Sequence, residues 1–282
     1  MPESLPSLEE TIGIYKLKAN KSLGQHFLLD VNTTDKIARL ALPLDQCETI
    51  EVGPGPGGLT RSLLKNNASL TVIEMDDRFI TPLNELAKSY NNLTVIHDNA
   101  LKVDIAKITK KNIKLVSNLP YNVGTKLLIN WLLSEPLFWS KAVLMFQKEV
   151  AQRITANPND KAYGRLAILT QSICNAQIAF DVPSMAFTPP PKVDSAVVVF
   201  DPLPIEERFT HLKVLGEVTM ATFSQRRKML RGSLKSIAKK YGTTPLKLCE
   251  SAEINPEFRP ENLSIIDFQN LALNLKERTN HP

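Results

Sequence analysis

The chain reads as an α/β protein, a doubly wound parallel sheet followed by a smaller all-α segment. Three observations predict this. An apolar strand-like run over residues 48–52 leads into Gly53-Pro54-Gly55-Pro56-Gly57-Gly58 and then a helical pattern through Leu64, the strand, glycine turn and helix that open a nucleotide-binding sheet. A second β-type run, 69–73, ends at Glu74, where a carboxylate can accept from both hydroxyls of a ribose. After Asp201-Pro202-Leu203-Pro204, whose prolines break both regular structures, the pattern turns helical.

Composition bounds the reading. A length of 282 residues suits one large domain or two smaller ones, and 43% hydrophobic residues suffice for a real core. The net charge of +5 permits a nucleic-acid partner without requiring one. Cys47, Cys174 and Cys249 are scattered, with no CxxC spacing, as expected of free thiols in a reducing, cytoplasmic compartment. Residues 1–10 have neither a basic nor an apolar signal region, and the apolar run 127–133 is too short to span a bilayer.

In chain order, residues 1–14 are expected to form a loose tail. Lys16, Lys18 and Lys21 then lead into Ser22-Leu23-Gly24-Gln25-His26-Phe27-Leu28-Leu29-Asp30. The lysines are an ordinary solvated surface or a phosphate contact, and His26 alone is more often structural than catalytic. A helix is expected over 34–42, capped by Asn32 or Thr33.

The glycine loop satisfies G-x-G-x-x-G through Gly53, Gly55 and Gly58, so a dinucleotide dehydrogenase competes at this point. Pro54 and Pro56 remove two N–H donors that a pyrophosphate would need. Glu51 places an acid beside the ligand, which suits a cation better than a phosphate. S-adenosylmethionine (SAM), with an adenosine, no phosphate, a sulfonium and an α-amino group, fits better. A third strand, 93–96, precedes His97-Asp98-Asn99-Ala100, polar residues that can read an adenine edge or simply form a turn.

A fourth strand, 113–117, ends at Asn118-Leu119-Pro120-Tyr121. Asn118 offers a side-chain carbonyl oxygen. Pro120 biases Leu119 out of the α region, which can turn its carbonyl outward, and Tyr121 supplies a ring for stacking. Two acceptors and an aromatic face suit a flat exocyclic amine; the alternative is a strand-to-loop corner. A helix over 125–133, a strand over 141–146, helices over 147–155 and 163–174 around a loop at 157–160, and strands over 178–182 and 196–200 complete this part. The proline run 188–192 is a rigid loop, and Phe187 before it reads as core.

Beyond the prolines the best helix is expected over 226–241. Leu230, Leu234, Ile237 and Tyr241 form its apolar stripe. Arg227, Arg231, Lys235 and Lys239 form a basic stripe, and no acid lies between Gln225 and Lys240, which favours an RNA-phosphate face. Short helices are expected over 245–252 and 262–275, the latter capped by Glu261 or Asn262.

Taken together, Ser22 to Leu28, Glu51-Val52-Gly53-Pro54-Gly55-Pro56-Gly57-Gly58-Leu59-Thr60, Glu74 and Asn118-Leu119-Pro120-Tyr121 resemble, in their order, the rRNA adenine N6-dimethyltransferases. Gln147-Lys148-Glu149-Val150, Tyr163-Gly164-Arg165-Leu166, Phe187-Thr188-Pro189-Pro190-Pro191-Lys192-Val193-Asp194-Ser195 and Gln225-Arg226-Arg227-Lys228 resemble that family's bacterial small-subunit branch. The likeness covers roughly residues 15–275.

It implies a Rossmann-like SAM-dependent methyltransferase sheet over 15–202 and a small all-α RNA- and subunit-binding domain over 203–282. SAM would be held by His26, Leu28, Gly53, Glu74, Asn99 and Asn118, with no metal. Asn118, Leu119, Pro120 and Tyr121 would act on the target base, with Phe187 as a second aromatic facing Tyr121. Arg226, Arg227, Lys228, Arg231 and Lys235 would contact RNA. The implied substrate is two adjacent adenines near the 3′ end of 16S rRNA, within the assembling 30S subunit, modified by a monomeric enzyme. One departure is Asn99, where the family usually has Asp; Asp98 is the alternative adenine contact. An antibiotic-resistance-type 23S rRNA methyltransferase shares the first half, but Pro189-Pro190-Pro191-Lys192 and Gln225-Arg226-Arg227-Lys228 argue against it.

Overall fold

The computed structural model describes residues 5–20 and 24–279; residues 1–4 of the expected tail, and Lys21, Ser22 and Leu23, lie outside the described residues. The chain divides into two compact units, one of Met1–Ala151 with Gln177–Asp201, the other of Gln152–Ala176 with Pro202–Pro282.

The strands are β1 (Phe27–Leu28), β2 (Glu48–Val52), β3 (Ser69–Glu74), β4 (Leu93–His97), β5 (Ile113–Asn118), β6 (Trp139–Gln147), β7 (Cys174–Val182), β8 (Phe187–Thr188) and β9 (Ser195–Pro202). Seven of them form one sheet in the order β4-β3-β2-β5-β6-β9-β7, as the α/β prediction requires. Its pairs from β4 to β6 are parallel and β9 runs antiparallel to β6. β2 is buried along its whole length, as a parallel strand covered on both faces must be. Its two acids are partnered there: Glu48 accepts from Ser69 Oγ and Thr71 Oγ1, and Glu51 from Thr60 Oγ1, all at 2.7 Å.

The strand order reverses at β2. The chain steps outward through β3 and β4, then returns to the other side of β2 as β5. β2 and β3 stay paired up to Val52 and Ile73, whereas the β2–β5 register ends at Ile50 and Leu115. Past that point the Val52 N–H donates to the Ser117 hydroxyl at 2.8 Å. A side chain thus replaces a ladder bond, and the carboxyl ends of β2 and β5 border a crevice, the place where doubly wound sheets bind ligands.

Helices α1 (Leu8–Ile14), α2 (Val31–Leu40), α3 (Gly58–Lys65), α4 (Asp77–Ser89) and α5 (Gly124–Leu132) accompany this sheet. Two of them correct the sequence reading. The expected tail is helical from Leu8, because Ser7 and Glu10 close a capping box: Glu10 N–H donates to Ser7 Oγ, and Ser7 N–H to Glu10 Oε2. α2 starts three residues early because Asp30, not Asn32 or Thr33, is the cap; its two carboxylate oxygens take the Asn32 and Thr33 N–H groups. The two-residue ribbon of β1 with β8 was not expected at all; it pairs Phe27 with Thr188 and Leu28 with Phe187.

The second unit is built from α6 (Lys148–Thr155), which crosses the break, α7 (Arg165–Gln171), α8 (Leu212–Phe223), α9 (Leu230–Ser233), α10 (Lys235–Lys240), α11 (Pro245–Ser251) and α12 (Ile265–Thr279). The second unit resumes at Pro202, and it also takes in 152–176, which the sequence reading assigns to the sheet domain. Tyr163 explains why: its hydroxyl donates to the Leu263 carbonyl, and its ring starts an aromatic chain through Phe223 to Phe268. α7 is shorter than expected, since Cys174 already belongs to β7.

The expected helix over 226–241 is broken into a turn, α9 and α10. Tertiary bonds outweigh its pattern. Arg226 is tied to Glu261 and to the Lys161 carbonyl, while the Leu230 and Arg231 N–H groups donate to the Phe258 and Pro256 carbonyls. α12 is capped by Ser264, not by Glu261 or Asn262, through reciprocal bonds with Asp267.

Gly58 marks the tightest approach in the first unit: a Cβ there would lie 2.7 Å from the Leu28 carbonyl oxygen. Gly58→Ala should therefore push β1 away and cost about 1–3 kcal/mol of stability, as overpacking does. A denaturation midpoint equal to that of the parent protein would contradict this.

Candidate active site

The crevice between β2 and β5 opens into a pocket whose walls come chiefly from five stretches that are far apart in sequence: 24–28, 51–56 with 58–59, 73–76, 98–101 and 118–123. His26, Leu28, Gly53, Glu74, Asn99, Asn118, Leu119, Pro120 and Tyr121 all line it. The expected cofactor residues and the expected amine holder thus face one space.

Glu74 ends β3 and is nearly buried, 6% exposed. One carboxylate oxygen accepts from the Met75 and Asp76 N–H groups, both at 2.8 Å, and the other from the Gly55 N–H at 3.1 Å. Burial raises its pKa, and the three backbone donors oppose that rise. The second oxygen, with one donor, retains a lone pair for a hydroxyl.

The glycine loop bends through positive φ at Gly53, Gly55 and Gly57. Its N–H groups are consumed: Gly53 donates to the Ile73 carbonyl, Gly55 to Glu74 and Gly57 to the Pro54 carbonyl, while Pro54 and Pro56 have none. The three glycine N–H groups before α3 are thus committed within the protein and the two prolines offer none, which disfavours a pyrophosphate on this loop.

Glu51 lines the pocket, placing an acid beside the ligand space as expected, but its burial changes its charge. It is 1% exposed, accepts from Thr60 Oγ1 at 2.7 Å, and burial pushes its pKa up to about 8, with Glu74 adding to the rise. It is therefore mostly protonated at neutral pH, and a cation brought beside it would draw it toward the carboxylate.

At the far side of the crevice, Asn118 ends β5 with its side-chain amide free of protein partners among the described residues. The Pro120 carbonyl accepts from the Val123 and Gly124 N–H groups, which turns the chain into α5. Tyr121 is pinned at its hydroxyl by the fully buried Ser195. Its ring lies 5.4 Å from the His26 ring, tilted by 32°. His26 is fixed in turn by Nδ1, which donates to the Pro189 carbonyl at 2.8 Å.

Asp98 and Asn99 both line the pocket; Asn99 is the more buried, and its Oδ1 accepts from Leu101 N–H, leaving Nδ2 to donate.

Phe187 departs from its expected role. It is 2% exposed, belongs to the hydrophobic core and does not line the pocket. Its pairing with Leu28 through β8 and β1 holds it there, and the aromatic neighbour of Tyr121 is His26. Ser195 and the Gln25–Asp76–Arg78 network were missed. Gln25 Nε2 and Arg78 both donate to Asp76, and the Arg78 guanidinium holds the Asp76 pKa down at about 2. No short-range pattern marks either feature, because every partner but Arg78 is remote in sequence.

In the second unit, Arg227, Lys228, Arg231 and Lys235 are exposed and without an ion pair among the described residues. Arg226 is a correction: it is half-buried and bonded to Glu261 at 2.8 Å and to two main-chain carbonyls, so it braces the fold. No helix among the described residues is long and apolar enough to cross a membrane.

The family model for ribosomal RNA adenine dimethylase matches residues 16–277. Among curated proteins, the ribosomal RNA small subunit methyltransferase A of Maricaulis maris is 52% identical over 274 residues, spanning 96% of this chain and 95% of that one. The protein of the same name from Ruegeria is 47% identical, spanning 98% of each. Among solved structures, a dimethyladenosine transferase from Plasmodium falciparum aligns with a TM-score of 0.76 at 29% identity, covering 90% of this chain and 98% of that one. The 23S rRNA methyltransferase ErmE aligns with a TM-score of 0.63 at 22% identity, covering 89% and 99%, a likeness of fold.

The state of Glu51 has a thermodynamic consequence. Because its pKa is about 8 in the folded chain against an ordinary 4.5, the folded state holds the proton longer, and stability falls as pH rises from about 4.5 to about 8. Glu51→Gln removes this loss. The variant should gain on the parent protein as pH rises through that window in paired denaturation curves. A pH-independent difference would mean that Glu51 titrates normally.

Proposed function

The chain belongs to the ribosomal RNA adenine dimethylase family, and we propose that it dimethylates N6 of two adjacent adenosines near the 3′ end of 16S rRNA in the assembling small subunit. The observation that supports this most is that Asn118-Leu119-Pro120-Tyr121 faces the same switch-point pocket as Glu74 and the glycine loop. Where ErmE offers a likeness of fold, the relatives at 47% and 52% identity carry small-subunit names.

SAM, when bound, supplies an electrophilic methyl on its sulfonium. Glu74 would accept from its ribose hydroxyls, Asn99 would meet its adenine through Nδ2 or Asp98 through its carboxylate, and Gly53, His26 and Leu28 would close around it. The loop's spent donors and the protonatable Glu51 fit a phosphate-free cationic ligand.

Adenine N6 is a weak nucleophile because its lone pair is delocalised into the ring. The Asn118 side-chain oxygen and the Leu119 carbonyl would accept its two hydrogens, draw the nitrogen toward tetrahedral geometry and aim its lone pair at the methyl. After one transfer a single hydrogen remains, and one acceptor still orients the amine. The N–C bond would form as the methyl's bond to sulfur breaks, the pair returning to sulfur as a neutral thioether; the methylated nitrogen is then a strongly acidic ammonium, so its proton leaves without a strong base. The base leaves its stack to enter, and the Tyr121 ring, held by Ser195 and flanked by His26, gives it a face.

The direct test is incubation with labelled SAM and unmethylated small subunits, followed by nucleoside analysis for N6,N6-dimethyladenosine; its absence would sink the proposal. Asn118→Ala should keep SAM affinity within a few-fold and slow methyl transfer about 10²–10³-fold, the usual cost of removing a preorganised polar group. Near-normal turnover would exclude the amine-holding role. Arg227→Glu with Arg231→Glu should weaken binding to subunits and leave SAM affinity intact, measured by particle binding and calorimetry; equal loss of both would indicate misfolding.

A further inference from the structure

The basic face of the second unit also exposes two apolar side chains that phosphate binding leaves unused. Phe258 is 48% exposed and Met229 is 37% exposed. Neither is placed by chance. The Leu230 N–H donates to the Phe258 carbonyl at 2.8 Å and the Arg231 N–H to the Pro256 carbonyl at 3.0 Å. Phe258 is therefore tied at the residue between Met229 and Arg231. Its own turn is closed locally, since the Phe258 N–H donates to the Asn255 carbonyl and the Glu257 N–H to Asn255 Oδ1. The backbone that carries the ring is fixed while the ring faces solvent, with no cation on it and no aromatic partner among the described residues.

In the stretch to which it is tied, Arg227, Lys228 and Arg231 are exposed and unpaired among the described residues. Glu257 is also exposed, on the residue just before the ring. An acid there disfavours a phosphate over Phe258 itself, but not the neutral face of a base.

From this we infer that Phe258, flanked by Met229, is a stacking platform for one unpaired base of the RNA, while Arg227, Lys228 and Arg231 hold the phosphates on either side. A continuous duplex offers phosphates and groove edges and no free base face, so it would leave the ring unused; a bulge or loop offers both. The inference rests on the RNA-binding reading of this face and adds to it the kind of RNA recognised there.

The test uses the full chain and two RNA hairpins that differ by one bulged purine, with affinities from fluorescence anisotropy and SAM affinity as the folding control. Phe258→Ala should weaken the bulged hairpin about tenfold, within the range of base–aromatic stacking, leave the paired hairpin unchanged, and be rescued by Phe258→Tyr. Arg231→Glu should weaken both. If Arg231→Glu weakens both but Phe258→Ala changes neither, or changes both equally, the stacking platform is wrong and the charged face stands. If Arg231→Glu changes neither, the RNA-binding reading falls and this inference falls with it.

Discussion

The constraint on which the site depends is the early parting of β2 and β5. Their register stops at Ile50 and Leu115, and the Ser117 hydroxyl takes the Val52 N–H that the ladder would otherwise pair. An unpaired buried N–H would cost about 1–3 kcal/mol, so the substitution of side chain for main chain is what lets the strands separate. The two motifs that follow these strands then meet across the gap. A Cβ on Gly53, which sits at φ +68°, would lie 3.0 Å from the Pro120 ring. Glycine is needed there for its dihedral and for its missing side chain. The glycine loop and the Asn118 corner are one interlocked structure, not two neighbours.

The loop discriminates against phosphate by committed donors as much as by charge, if it holds a ligand as proposed. The sequence suggests that Glu51 repels phosphate as a carboxylate. In the structure it is buried and its pKa is pushed up to about 8, and Glu74 takes one loop N–H, that of Gly55, besides those of Met75 and Asp76. The two acids therefore divide the work. Glu74 is anchored by three backbone donors and offers a fixed acceptor. Glu51 has one hydroxyl donor and a proton it can surrender, so its charge responds to what arrives beside it.

The strands, the glycine loop, Glu74 and the Asn118 corner are legible in sequence because each is written in contiguous residues whose chemistry is local: apolar runs, positive-φ glycines, an acid or an amide at a strand end. What is not legible is set by partners remote in sequence. The β1–β8 ribbon is two residues long on each side and joins segments about 160 residues apart, so no periodicity announces it. That ribbon is what buries Phe187, whose position in the motif suggests an open site. The pattern over 226–241 is helical, but Glu261 and the Pro256 and Phe258 carbonyls claim its first turn. Arg226, which looks like part of a basic stripe, is spent as a brace. The charges left exposed are fewer than composition suggests and more specifically placed.

The two halves of the proposed amine-holding corner differ in what they depend on. Asn118 and Leu119 are placed by β5 and its pairing with β6, up to the Asn118–Met145 register. Tyr121 is placed from elsewhere. Its hydroxyl is bonded to Ser195, the first residue of β9, which pairs antiparallel with Gln147 at the end of β6. Its ring neighbour, His26, is held by the Pro189 carbonyl, and Ser184 N–H to Asp194 closes the loop between them. The acceptors proposed to orient an amine thus sit at the end of the parallel sheet, whereas the wall that would fix the tilt of the base is assembled from the segment between β7 and β9. Changes in that segment should act on how a base is held and spare the acceptors. On the proposed mechanism, the local order of β5 would provide the acceptors, and the antiparallel return of β9 their aim.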